Sequence, residues 1–126
     1  MTKEELLAKL GKALIVEVRD EAIEKYEMIA LGKMKSTEAL EKNSKLQSFS
    51  EQQLKDIRSL VVSSIDDVLH NLLWMLEQHE QEICLMVGED EDSKKENIAE
   101  VSDGLSGEIY TEDGWINSYS RYKENY

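Results

Sequence analysis

Apolar residues recur at helical spacing in two long stretches of this chain. In the first, Leu7, Leu14, Val18, Ala22 and Ile29 form one stripe, with Ile15 and Tyr26 alongside. Lys9, Lys12, Asp20, Glu24 and Glu27 fall on the other side of the same wheel. Thr2 and Glu5 have the spacing of a capping box, in which a hydroxyl and a carboxylate satisfy each other's free amides. Gly32 supplies a stop, because glycine tolerates the left-handed backbone that closes a helix. The pattern predicts one helix over residues 3–31, with Gly11 as the place where it can bend. In the second stretch Leu54, Ile57, Val61, Ile65, Val68, Leu72 and Leu76 keep helical spacing, flanked by Leu69 and Met75. Ser50 and Gln53 form a second capping box ahead of it, and Phe49 is placed to staple onto Leu54. That predicts a helix over 51–79. Between the two, Ser36-Thr37-Glu38 opens a shorter helix over 37–46.

Beyond His79 the periodicity fades. Residues 83–87 (Ile-Cys-Leu-Met-Val) suit either a helix extension or a short strand. Gly88 to Asn97 is a charged loop, and Ile98 to Val101 a short ordered piece. Gly104, Gly107 and Gly114 mark turns. Asp113-Gly114 either closes a hairpin between residues 108–110 and 115–116 or precedes a last short helix. The chain has no proline and no internal repeat. The expected fold is mainly α: a single domain, residues 1–126, built as a small helical bundle. Two long antiparallel helices carry it, a shorter one crosses them, and the acidic C-terminal segment is irregular.

Charge changes the picture more than composition does. The 126 residues carry net charge −12. Residues 1–76 account for only −2 of it, whereas residues 77–113 hold thirteen acidic side chains against Lys94 and Lys95, a net of −11. Residues 114–126 add Arg121 and Lys123 against Glu124. Such a surplus opposes direct nucleic-acid binding. A charge run is ordinarily a solvated loop, but one this concentrated also suits docking to a basic partner. Glu89, Asp90, Glu91, Asp92, Glu112 and Asp113 are the candidate contacts, with Trp115 and Trp74 as aromatic anchors. The lone Cys84 excludes an internal disulfide and, lying in an apolar run, reads as a small buried hydrophobe. No apolar run, Leu72 to Leu76 included, approaches the length needed to span a membrane. Met1 leads straight into Lys3, Glu4 and Glu5, unlike a signal peptide, so the expected compartment is cytoplasmic.

Individual residues add little chemistry. Trp74 lies on the far side of the 51–79 helix from Ile65, with Asp67, His70, Ser63 and Asn71. Either the C-terminal segment folds over that face, bringing Trp115, Tyr119 or Tyr122 to Trp74, or Trp74 anchors a partner. Exposed tryptophans being uncommon, the fold-back is the favoured expectation. Asp67 and His70 have the spacing of a helical metal pair, and Asp66 stands one turn from His70. The only other histidine, His79, lies across the wheel, so no metal is expected. Arg58 interrupts the apolar stripe, and either reaches water or pairs with a first-helix carboxylate such as Glu21. Residues 104–108 (Gly-Leu-Ser-Gly-Glu) lack the last glycine of a nucleophile elbow. Glu89 to Asp92 lacks the alternating ligands of a calcium loop. No catalytic motif and no cofactor fingerprint are present, so no enzyme activity is expected.

The small size, helical pattern, acidity and the stretch Ser102–Ile116 together resemble small acidic bacterial toxin-immunity proteins, including those of contact-dependent inhibition systems. The likeness is one of general character and transfers no residue roles. It implies a cytoplasmic protein that binds and neutralises one basic, nuclease-like toxin domain. A nucleic-acid mimic and a helical adaptor or structural subunit are the alternatives, the near-neutral residues 1–76 counting against the mimic. Whatever the function, the start of the 51–79 helix is testable. Ser50→Ala should lose about 0.5–2 kcal/mol, read as a lower urea midpoint.

Overall fold

The computed structural model describes residues 1–123, so Glu124 lies outside the described residues. The first helical stretch runs as α1 (Lys3–Ala13), a π-helical turn (Leu14–Arg19) and α2 (Asp20–Ala30). The Thr2/Glu5 capping box is formed, with Glu5 N donating to Thr2 Oγ1 and Thr2 N to Glu5 Oε2, both at 3.1 Å. Gly32 ends α2 at a φ of +70°, with Gly32 N donating to Ile29 O and Lys33 N to Met28 O. These are the two bonds of a Schellman closure. Asn43 of α3 (Thr37–Leu46) donates to the carbonyl of Ala30 and also to that of Ile29, tying α3 to the end of α2. The long helix α4 (Glu51–Gln78) starts from the Ser50/Gln53 box, also fully formed.

Two contacts set the direction of packing. Arg58 meets Glu27 at 2.8 Å, and further along α4 Asp66 meets Arg19 at 2.5 Å. Position rises along α4 as it falls along the first helix, so the two run antiparallel, as expected. Arg58 thus pairs with Glu27 rather than with Glu21, one and a half turns away.

The faces differ from expectation. In the π turn Asp20 N donates to Ile15 O, five residues back, so one extra residue enters the turn. Leu14, Ile15, Arg19, Asp20 and Ile23 are buried, while Val18 is 49% exposed. On α4 the buried row is Val62, Asp66, Leu69, Leu73 and Leu76. Val68 is 67% and Leu72 43% exposed, and Ile65 is half-buried. The buried face is therefore rotated by about one residue from the sequence stripe.

The reason lies in the C-terminal third. After α4 the chain forms a two-stranded antiparallel hairpin, β1 (Met86–Val87) with β2 (Glu96–Asn97), then α5 (Ile98–Val101), a 3-10 turn (Leu105–Glu108) and α6 (Trp115–Tyr119). Ile98, Ala99, Leu105, Ile109, Trp115 and Ile116 are buried against Leu14, Ile15, Leu69, Leu73 and Leu76. The core thus sits between α1, the π turn, the C-terminal half of α4 and this third segment. Of the two alternatives at Asp113-Gly114, the last short helix is formed, as α6 with Gly114 at its N-cap, and the hairpin over 108–116 is not. Ile116 N does donate to Ile109 O at 3.4 Å, but a 3-10 turn and α6 stand on either side. Residues 83–87 leave the helix, and the hairpin that forms spans the acidic loop instead.

At the centre is a cluster of buried charge. Arg19, Asp20 and Asp66 have no exposed surface. Arg19 forks onto Asp66, with Nε to Oδ1 at 2.5 Å and Nη2 to Oδ2 at 3.3 Å. Its Nη1 donates to Ser120 Oγ at 2.8 Å and to Tyr122 O at 2.6 Å. Ser120 Oγ donates to Asp20 Oδ1 at 2.6 Å, and Arg121 N to Asp20 Oδ2 at 2.9 Å. Among the described residues no buried side-chain polar atom lacks a partner. Asp20, which the helical wheel assigns to solvent, lies at the heart of this cluster.

Two stability outcomes follow. Leu73→Ala should cost about 2–5 kcal/mol through the cavity it leaves, and half-exposed Leu72→Ala under about 1 kcal/mol. Urea unfolding of both variants measures the contrast. Asp66→Ala strands a buried guanidinium and should cost about 3–5 kcal/mol, whereas replacing the whole buried cluster, Arg19→Met with Asp20→Asn and Asp66→Leu, should recover most of that loss. The same unfolding curves, run on the single and combined variants, give the comparison.

Candidate partner-binding surface

The acidic loop between β1 and β2 is ordered by its backbone. Lys9 of α1 reaches across to donate to Gly88 O and Glu89 O, each at 2.7 Å. Asp90 Oδ1 accepts from Asp92 N at 3.0 Å and Ser93 N at 2.8 Å, the local turn that a short carboxylate favours. Lys95 Nζ donates to the carbonyls of Asp90 and Ser93. Both lysines thus hold carbonyl oxygens, not carboxylates. Among the described residues Glu89, Glu91 and Asp92 are exposed and no ion pair involves them. Asp90 has one carboxylate oxygen committed to the turn, so it shapes the loop as well as charging it.

Glu112 and Asp113 are exposed in the turn before α6. Their carbonyls accept from Asn117 Nδ2 and Ser118 Oγ at 3.3 and 3.4 Å, which leaves both carboxylates to solvent. This turn is fixed separately from the 89–92 loop, through Trp115. The other acids of the segment are partly absorbed by the fold. Glu77 accepts from the Ser106 amide, Glu100 from Gln81 Nε2 and Glu108 from Ser102 Oγ.

The aromatic expectations change. Trp115 is 5% exposed and is a core residue rather than an anchor. Its indole lies flat against Gly11, where a Cβ would meet three ring atoms at 2.6 Å. Gly11 therefore serves as a seat for the indole, which is why Trp115 is not available to cover Trp74. Trp74 is 52% exposed, contrary to the fold-back. The C-terminal segment does cross α4, but one turn earlier. Tyr110 Oη donates to Asp66 O at 3.1 Å, and its ring lies 5.6 Å from that of His70. His70 is accordingly half-buried against a ring, and Asp67 is exposed. Among the described residues no three His, Cys, Asp or Glu side chains are grouped to hold a metal. Cys84 is exposed rather than buried, its thiol donating to Glu80 O at 3.0 Å. Among the described residues no helix is long and apolar enough to cross a membrane.

The residues that sequence reasoning missed are Arg19 and Ser120. Arg19 stands one turn from both Ile15 and Ile23, and an ionisable group between two isoleucines at helical spacing is the one signal that could have found it. Nothing in the pattern marks Ser120. Arg121 beside it is raised above its ordinary pKa, first by its hydrogen bond to Glu24 at 3.1 Å, so the end of the described chain is clamped on α2. The chain matches no protein-family model, no curated protein and no solved structure.

Proposed function

We propose that this chain is a non-catalytic binding protein that neutralises a basic partner, in the manner of an immunity protein facing a nuclease-like toxin domain. The observation that carries the reading is the use made of the local cations. Lys9 and Lys95 hold the 89–95 loop by its carbonyls and leave Glu89, Glu91 and Asp92 unneutralised on an ordered scaffold. A fold gains nothing from crowding like charges, whereas a preformed acidic face steers a cationic partner and loses little entropy on docking. Glu112 and Asp113 extend the same sign on a second turn. The partner is a protein with a cationic cleft, and the compartment proposed is the bacterial cytoplasm. The half-exposed Trp74 favours a second reading, a helical adaptor gripping its partner through α4.

The two readings separate in binding kinetics against the partner captured from a native lysate. With Asp90 retained for the turn, Glu89→Gln/Glu91→Gln/Asp92→Asn should slow association about tenfold at low ionic strength and flatten its salt dependence. The melting temperature should stay unchanged. Association as fast as wild type would remove the acidic face from the reading. That result together with a large rise in dissociation rate for Trp74→Ala would favour the adaptor instead.

A further inference from the structure

Part of the stripe that the sequence assigns to the core reaches the surface along the π turn and α2. Val18, Ala22, Tyr26 and Ile29 follow at i, i+4, i+8 and i+11, between α3 on one side and α4 on the other. Between α2 and α3, Ala22, Tyr26, Ile29 and Leu46 line an open groove of about 480 Å³. Between α2 and α4, Val18, Ala22, Ile65 and Val68 line another of about 310 Å³. Ala22 belongs to both, so the two make one apolar trough. From Val18 to Ile29 it extends for roughly 16 Å, about three helical turns. Its α3 half is bordered by Lys25, Lys42 and Lys45, a basic rim on a chain of net charge −12. Lys42 of this rim pairs with the exposed Glu38 at 2.7 Å. The Glu38 carboxyl is held below its ordinary pKa by that bond first, with Lys25 adding to the effect.

We infer that this trough is a docking site for an amphipathic helix of a partner protein whose apolar face is edged with Asp or Glu. Apolar side chains at i, i+4 and i+7 of such a helix fill the row from Ile29 to Val68, and its acidic edge meets the three lysines. The exposed Lys42–Glu38 pair is weak and gives way to a better partner. The sign of the rim selects this occupant: a basic helix is repelled, and a second copy of this chain brings excess negative charge on residues 77–113, away from its own trough. The site is separate from the acidic face and takes a ligand of opposite charge, so each stands or falls alone.

The test uses two fluorescent peptides of about 18 residues, long enough to span the trough as helices. Both carry leucines at helical spacing; one has Glu at the flanking positions and the other Lys. Anisotropy titrations against the full chain should show the Glu peptide binding at least about tenfold more tightly. Lys25→Glu/Lys42→Glu/Lys45→Glu should reverse that preference, and Ala22→Gln, which blocks the junction, should weaken both peptides. The reversal is a gain of binding for the Lys peptide, which a misfolded variant does not give. Equal binding of the two peptides, or binding of neither, overturns the inference. Sedimentation showing a dimer that Val68→Glu dissolves would assign the trough to a second copy and also overturn it. So would uptake by phosphatidylserine/phosphatidylcholine vesicles that the triple reversal abolishes while peptide preference is unaffected.

Discussion

The guanidinium of Arg19 holds three distant parts of the chain together. It lies without solvent contact between Asp66 of α4, Asp20 beside it and the hydroxyl and carbonyl of Ser120 and Tyr122. A buried arginine is tolerable only when its donors are filled, and here two carboxylates, a hydroxyl and a carbonyl fill them. The π turn is part of the same solution. By admitting one more residue before Asp20, it brings Arg19 and Asp20 inward together, with Ile15 before them and Ile23 after. Burial of that pair turns Val18 outward. The open trough on α2 is thus the other side of the charge cluster.

Helix existence and capping were legible because they depend on neighbours three or four residues apart. Both capping boxes, the Gly32 closure and the 37–46 helix follow from local chemistry that tertiary packing has no reason to change. Which face is buried depends on what arrives from elsewhere. Their periodicity places Val68 and Leu72 in the core only if the two long helices bury nothing but each other. Ile98, Leu105, Ile109, Trp115 and Ile116 supply a competing apolar surface, too scattered among glycines and acids to give a period. They draw Leu69, Leu73 and Leu76 towards themselves. Asp66 could be seen as a helical neighbour of His70, but its partner is 47 positions away and no local pattern announces it.

The acidic surface was legible as composition and only partly as structure. Counting residues places the excess over 77–113, but it does not separate carboxylates that the fold uses from those it leaves free. Glu77, Glu100 and Glu108 have internal donors, and Asp90 orders its own loop. Among those that remain exposed, Glu89, Glu91 and Asp92 stand on one turn and Glu112 and Asp113 on another. Trp115, counted with them from sequence, was claimed by the absence of a side chain at Gly11, a complementarity that appears only when residues 11 and 115 are brought together.

The Ser120 hydroxyl lies 101 positions from Arg19, so the charge cluster spans nearly the whole described chain. During synthesis the two long helices emerge first, with Arg19 and Asp66 able to meet but unable to leave water, since Ser120 and Tyr122 have yet to appear. Completion of the charge cluster therefore waits until Ser120 and Tyr122 have emerged. Until then the nascent chain carries helices with wet charges and apolar faces, a form that needs shelter from its neighbours.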